Sequence, residues 1–99
     1  MTGLPFLMSV LSDPTRLGVL KILSDGQEHC VCQMMERLGA TQSRMSRHLR
    51  ILNRAGLVTS RRDAQWVRYR KNPNPSPQVR KIVDAVIAAA SSDDGERAS

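Results

Sequence analysis

Residues 38–42 read Leu-Gly-Ala-Thr-Gln, a helix stop followed at once by a helix start, and no other stretch constrains the chain as much. Glycine accepts the left-handed backbone that closes a helix, and threonine offers a side-chain oxygen to the unpaired amides that open one. Cys30, Met34, Met35 and Leu38 predict a helix starting near Cys30 and closing at Gly39, and residues 42–55 predict the next, which Gly56 ends. Two helices joined by so short a connection containing glycine form a helix-turn-helix.

The second helix of the pair is amphipathic in an informative way. Met45, Leu49 and Leu52 recur at i, i+4 and i+7 and should face a core, helped by Ile51 to one side. Ser43, Arg44, Arg47, His48, Arg50 and Arg54 cover the remaining surface with no acid among them. A merely solvated face mixes acids with bases, so this one is fitted to a polyanion. The charge distribution agrees: the net charge is +6, and residues 41–71 hold nine Arg or Lys against one acid, Asp63. Arg suits bidentate contact with guanine edges, while Ser, Asn and Gln serve bases and phosphates. Gln42, Ser43, Arg44, Ser46, Arg47 and His48 are therefore expected to contact double-stranded DNA, with Arg44 and Arg47 at base edges.

The flanking sequence completes the architecture. Phe6, Leu7, Val10 and Leu11 give a short first helix; Asp13 caps the second, Pro14 fits its first position, Leu17, Leu20, Ile22 and Leu23 supply its apolar content, and Gly26 closes it. Residues 57–62 and 66–71 read as two strands about the turn 63–65, with Val67 and Tyr69 alternating with Trp66, Arg68 and Arg70. After a helix-turn-helix this basic hairpin is a wing, with Arg61, Arg62 and Arg68 for the wing and phosphates. The proline-rich segment 72–77 is a stiff break, and Val79, Ile82, Val83, Val86 and Ile87 form the stripe of a last helix. The expected fold is mainly α with a small β-hairpin, a winged helix-turn-helix of five helices plus wing, in one domain over 1–90 with a disordered tail over 91–99. The stripes on the first and last helices either cover the central core or pair with a second copy. A two-fold homodimer is preferred, because it sets two recognition helices about one DNA turn apart.

Both cysteines of the chain fall at Cys30 and Cys32, separated by Val31. A disulfide across one residue closes a tiny ring and staples nothing, so in a reducing cytosol the pair reads as ligands or reactive thiols. Soft thiophilic ions such as As(III), Sb(III), Cd(II) and Pb(II) select thiolates, and no carboxylate cluster competes. In a regular helix residues i and i+2 lie about 200° apart around the axis, so both sulfurs meet one ion only if Cys30 lies outside the helix or its first turn unwinds. A helix N-terminus also favours thiolate over thiol. His29 is a possible third donor, whereas Met34 and Met35 read as core. Buried packing and a reversible thiol switch are the competing uses of the pair.

An enzyme is not expected: the histidines are His29 and His48, no Ser-His-acid or metal-hydrolase spacing occurs, and glycines stand singly at helix ends. Non-specific nucleic-acid binding is the other use of basic charge alone. No apolar run approaches the roughly 20 residues of a membrane span and no leader pattern opens the chain, so a cytoplasmic protein without membrane partners is expected.

The order helix, Asp-Pro-Thr-Arg-Leu helix, Cys-Val-Cys helix, Gln-Ser-x-x-Ser-x-His-Leu helix and basic hairpin resembles the ArsR/SmtB family of metal-responsive winged-helix repressors, and its arsenic-responsive members most. The matching stretches are residues 11–34, 41–58 and 66–70. The resemblance implies a homodimer that binds an inverted-repeat operator, blocks transcription, and leaves DNA when a soft metal or metalloid binds Cys30 and Cys32. In the best-known arsenic pattern a further Cys follows three residues after the second; here that position is Met35. Zinc-sensing relatives carry Asp and His on the last helix, where this chain has Asp84 and no His. Two thiols suit a trivalent organoarsenical, which offers thiolates two positions, or As(III) completed by water or a small thiol. The implied inducer is arsenite, methylarsenite or antimonite, with no catalytic cofactor; a thiol-redox-responsive or Cd/Pb-responsive repressor of the same fold is the alternative.

Overall fold

The computed structural model describes residues 3–98, with side chains described through Ser91. Its described elements are five helices, α1 (Leu4–Leu11), α2 (Pro14–Leu23), α3 (Val31–Leu38), α4 (Gln42–Arg54) and α5 (Pro77–Ala98), and three short strands, β1 (His29–Cys30), β2 (Val58–Asp63) and β3 (Trp66–Lys71). Local chemistry sets the boundaries. Asp13 caps α2 by accepting the Arg16 N–H at 2.9 Å, with Pro14 at the first helical position. Gly39 closes α3 at φ 67°, and Thr41 opens α4 by accepting the Arg44 N–H at 3.3 Å. The helix-turn-helix is thus built from the caps its sequence announces.

The core joins Val10 and Leu11 of α1, Val19, Leu20 and Leu23 of α2, Met34 of α3, Met45, Leu49 and Leu52 of α4, and Leu57 and Val58 at the start of the wing. Met45, Leu49 and Leu52 are fully buried, as the stripe on α4 requires, and this fixes which face of α4 is left outside. Gly18 has a packing role: a Cβ there would lie 2.7 Å from Cδ2 of Leu38, so glycine lets α2 and α3 approach closely. Val79, Ile82, Val83, Val86 and Ile87 of α5 pack against the core while staying half-buried, and Leu4 and Met8 of α1 are exposed.

Two features depart from the sequence expectation. The sheet has three strands rather than a hairpin alone, in the order β1-β3-β2 and antiparallel throughout, with His29 opposite Tyr69 and Cys30 opposite Arg68. A strand of two residues has no period to detect, and its partner lies far along the chain. The α5 backbone also continues through residues 91–98, the stretch expected to be a tail. Ala88, Ala89 and Ala90 lead into it, and alanine is the strongest helix former. At the wing tip Ala64 takes a positive φ of 55°, which lets the chain reverse between Asp63 and Trp66.

Candidate functional site

Cys30 ends β1 and is at the same time the N-cap of α3, with extended backbone (φ −83°, ψ 154°). Its N–H donates to Oε1 of Gln33 at 3.4 Å, which secures the helix entry. Cys30 therefore lies outside the helix proper, one of the two conditions for both sulfurs to reach one point. Cys32 sits one residue into the helix, and the two Cα atoms are 5.4 Å apart. In this structure the sulfurs are joined as a disulfide rather than held as two thiols. The bridge spans only Val31 and links no distant elements, so it staples nothing, as its spacing requires. A disulfide holds no ion; the same sulfurs, reduced, form a dithiol already gathered at a helix N-terminus.

No further donor joins them. Among the described residues no group of three or more His, Cys, Asp or Glu could hold a metal ion. His29 is turned away, with Nε2 2.9 Å from Oδ2 of Asp25. Of the two methionines read as core, Met34 is fully buried, whereas Met35 is half-buried and lines a cleft of about 400 Å³ together with Cys32, Ser46, Trp66, Val67 and Tyr69. The spacing of Cys32 and Met35, three apart on one helix, was the sequence signal that these two side chains share a face. The share contributed by Trp66 and Val67 depends on how the wing folds back, which no local pattern shows.

The basic residues separate into groups. Gln42, Ser43, Arg44 and Arg47 are exposed on the first two turns of α4, as are Arg50 and Arg54 further along, and Ser46 is half-buried beside the cleft. His48 is turned toward the start of α2: its Nδ1 is 3.1 Å from Nη1 of Arg16 and 3.8 Å from Oδ2 of Asp13. On the wing Arg62 is exposed, while Arg61 and Arg68 stand opposite each other across β2 and β3. Like charges so placed repel, and each has its own acid. Arg61 donates to both oxygens of Glu28, at 2.6 and 2.9 Å, and Arg68 donates to Asp63 at 3.3 Å. The Arg61 hydrogen bond holds the Glu28 carboxyl below its ordinary range. Glu28 lies two residues before Cys30, so the wing is tied to the cysteine segment by this ion pair as well as by the β1–β3 ladder.

The Asp13 carboxyl joins α2 to the recognition helix. Burial alone would raise its pKa, but the Arg16 amide and the charges of His48 and Arg16 outweigh that and hold it below the ordinary value. A carboxyl depressed on folding stabilises above its unfolded value and loses that contribution as pH falls through the folded one. Asp13→Ala is accordingly expected to cost about 1 kcal/mol at pH 7. The gap to wild type should close below about pH 4, near the unfolded carboxylate value. Urea unfolding at pH 7 and pH 3 measures it; an equal gap at both would show that the carboxylate charge contributes nothing.

Residues 13–60 match the family described as bacterial regulatory protein, arsR family. The arsenical resistance operon repressor of Escherichia coli K12 is 40% identical over 78 residues, covering 79% of this chain and 67% of that one. The chain belongs to the ArsR family. The arsenic resistance transcriptional regulator ArsR2 of Pseudomonas putida is 36% identical over 87 residues, covering 88% of this chain and 76% of that ArsR-family protein. Among solved structures, reduced HlyU from Vibrio cholerae superposes with a TM-score of 0.69 at 33% identity, covering 82% of this chain and 81% of that one. Membership in the ArsR family accounts for the winged helix-turn-helix. No helix among the described residues is long and apolar enough to cross a membrane.

Proposed function

We propose that the chain is a cytoplasmic transcriptional repressor that binds an inverted-repeat operator as a homodimer and leaves it when a trivalent arsenical or Sb(III) binds Cys30 and Cys32. The gathering of both sulfurs at the N-terminus of α3 carries this reading. Names of relatives such as the arsenical resistance operon repressor of Escherichia coli support it. For DNA contact we assign Gln42, Ser43, Arg44, Ser46 and Arg47 on α4, with Arg44 and Arg47 at base edges, and Arg62 at phosphates. His48 buttresses α4 through Arg16 and Asp13, and Arg61 and Arg68 reach phosphates by exchanging Glu28 and Asp63 for them. The half-buried α5 stripe and exposed Leu4 and Met8 supply the dimer face.

Coupling follows from what the cysteines touch. Cys30 lies in β1, which pairs with β3 of the wing, and Cys32 lies in the first turn of the helix that precedes the recognition helix. An ion drawn between the sulfurs re-sets both elements, and it biases the population toward whichever arrangement binds it better. A bias of about 1–3 kcal/mol changes operator affinity roughly 5- to 150-fold.

The disulfide favours a second reading, a repressor responsive to thiol oxidation at the same pair. One operator-binding assay separates them: reduced protein titrated with arsenite, antimonite, cadmium and zinc, beside oxidised protein without ions. Release by arsenite and antimonite, with oxidised protein still bound, is the expected result. Release by oxidation alone would replace the metalloid reading, and the absence of release by any treatment would remove both.

A further inference from the structure

Building on the metalloid reading above, we propose that the cleft beside Cys32 is a subsite for the organic substituent of a trivalent arsenical, and that an aryl group fills it best. Cys32 forms one wall of a cleft of about 400 Å³, in the size range of small-ligand sites. Beside the polar Gln42, Ser46 and Gln65, its lining includes side chains that an aromatic ring packs against: Met35, Leu49, Val67, and the rings of Trp66 and Tyr69. Trp66 is the chain's sole tryptophan and stands 50% exposed, an apolar surface without a covering partner among the described residues.

The chemistry of the pair points the same way. Two thiols are all that the described residues offer, and an organoarsenous acid has two exchangeable oxygens and one As–C bond that persists. The disulfide must first be opened by a cellular dithiol or added phosphine, which gives up two electrons as the pair takes up two electrons and two protons. Cys30 and Cys32 then form two S–As bonds as two As–O bonds break, and the thiol protons leave with the oxygens as two waters. Arsenic stays trivalent throughout. Of the two cysteines Cys32 lines the cleft and Cys30 does not, so the proposal sets the retained carbon group on the Cys32 side, toward the cleft.

Position also explains how such a ligand would be felt at DNA. Gln42 and Ser46 of α4 line this cleft, as do Gln65 and Trp66 at the wing tip. A ring inside it wedges between the two elements that engage the duplex, so no relay through the core is needed.

Methylarsenite and phenylarsenite both bind two thiolates and differ in the group left for the cleft. With fully reduced protein, phenylarsenite should release operator and bind, by calorimetry, at a concentration at least about tenfold lower than methylarsenite. In Trp66→Ala and Met35→Ala, each checked for folding by circular dichroism, that ratio should fall to within about twofold while the methylarsenite midpoint stays put. A ratio near one on wild type, or one unchanged in both variants, would overturn the subsite while leaving the metalloid reading intact. If neither organoarsenical consumed two thiols per chain or released operator while arsenite did, the subsite would fall and the metalloid reading stand; if arsenite and antimonite failed as well, both would fall.

Discussion

Cys32→Ser should bind operator within about twofold of wild type yet stay bound at arsenite or antimonite concentrations that clear the wild-type protein. Oxygen is a hard donor with little affinity for these ions, so one remaining thiol has no chelate to close. The loss should be nearly complete rather than partial, because two sulfurs are the whole donor set among the described residues. Operator affinity should survive because Cys32 is exposed and the bridge joins residues already two apart. Cys30→Ser should behave alike: its backbone keeps the β1 pairing and the bond to Gln33, and a serine oxygen can take the capping place of the sulfur at the helix entry. Gel-shift titrations on the reduced proteins decide this. Normal release from Cys32→Ser would place the sensing elsewhere.

Met35→Cys should lower the arsenite concentration needed for release by about tenfold or more and raise thiol consumption to three per chain. Met35 is one turn beyond Cys32 and lines the same cleft. A thiolate there replaces a thioether that is a weak donor to As(III). The same change should weaken the preference for phenylarsenite, since the shorter cysteine removes the methionine side chain that an aryl group would pack against in the cleft. An arsenite response unchanged from wild type, with two thiols consumed, would show that residue 35 does not face the bound ion.

Much of the architecture was readable because it rests on short-range chemistry. Asp13, Pro14, Gly39, Thr41 and Gly56 mark helix ends through caps and backbone handedness, which depend on a few neighbours, and the 3.6-residue rhythm of Met45, Leu49 and Leu52 already told which face of α4 is buried. What escaped depends on residues far apart in the chain. β1 exists because residues 29 and 30 meet 68 and 69, and His48 turns inward because Arg16 and Asp13 wait for it more than 30 residues away. One face of the wing read as largely basic, but Glu28, from outside the basic segment, pairs with Arg61. Of the cysteine site, helical geometry already required either that Cys30 stand outside the helix or that the first turn unwind, and the structure has the first. The bond between the sulfurs and the cleft behind them were not legible.

The shortness of β1 bears on how the protein opens. Two residues on a sheet edge contribute few ladder hydrogen bonds, and neither is part of the buried cluster formed by Leu23, Met34 and Leu49. Native proteins open locally first where such protection is thinnest. The amides of the segment carrying Cys30 should therefore exchange with solvent faster than those of α2 and α4, which hydrogen exchange would measure.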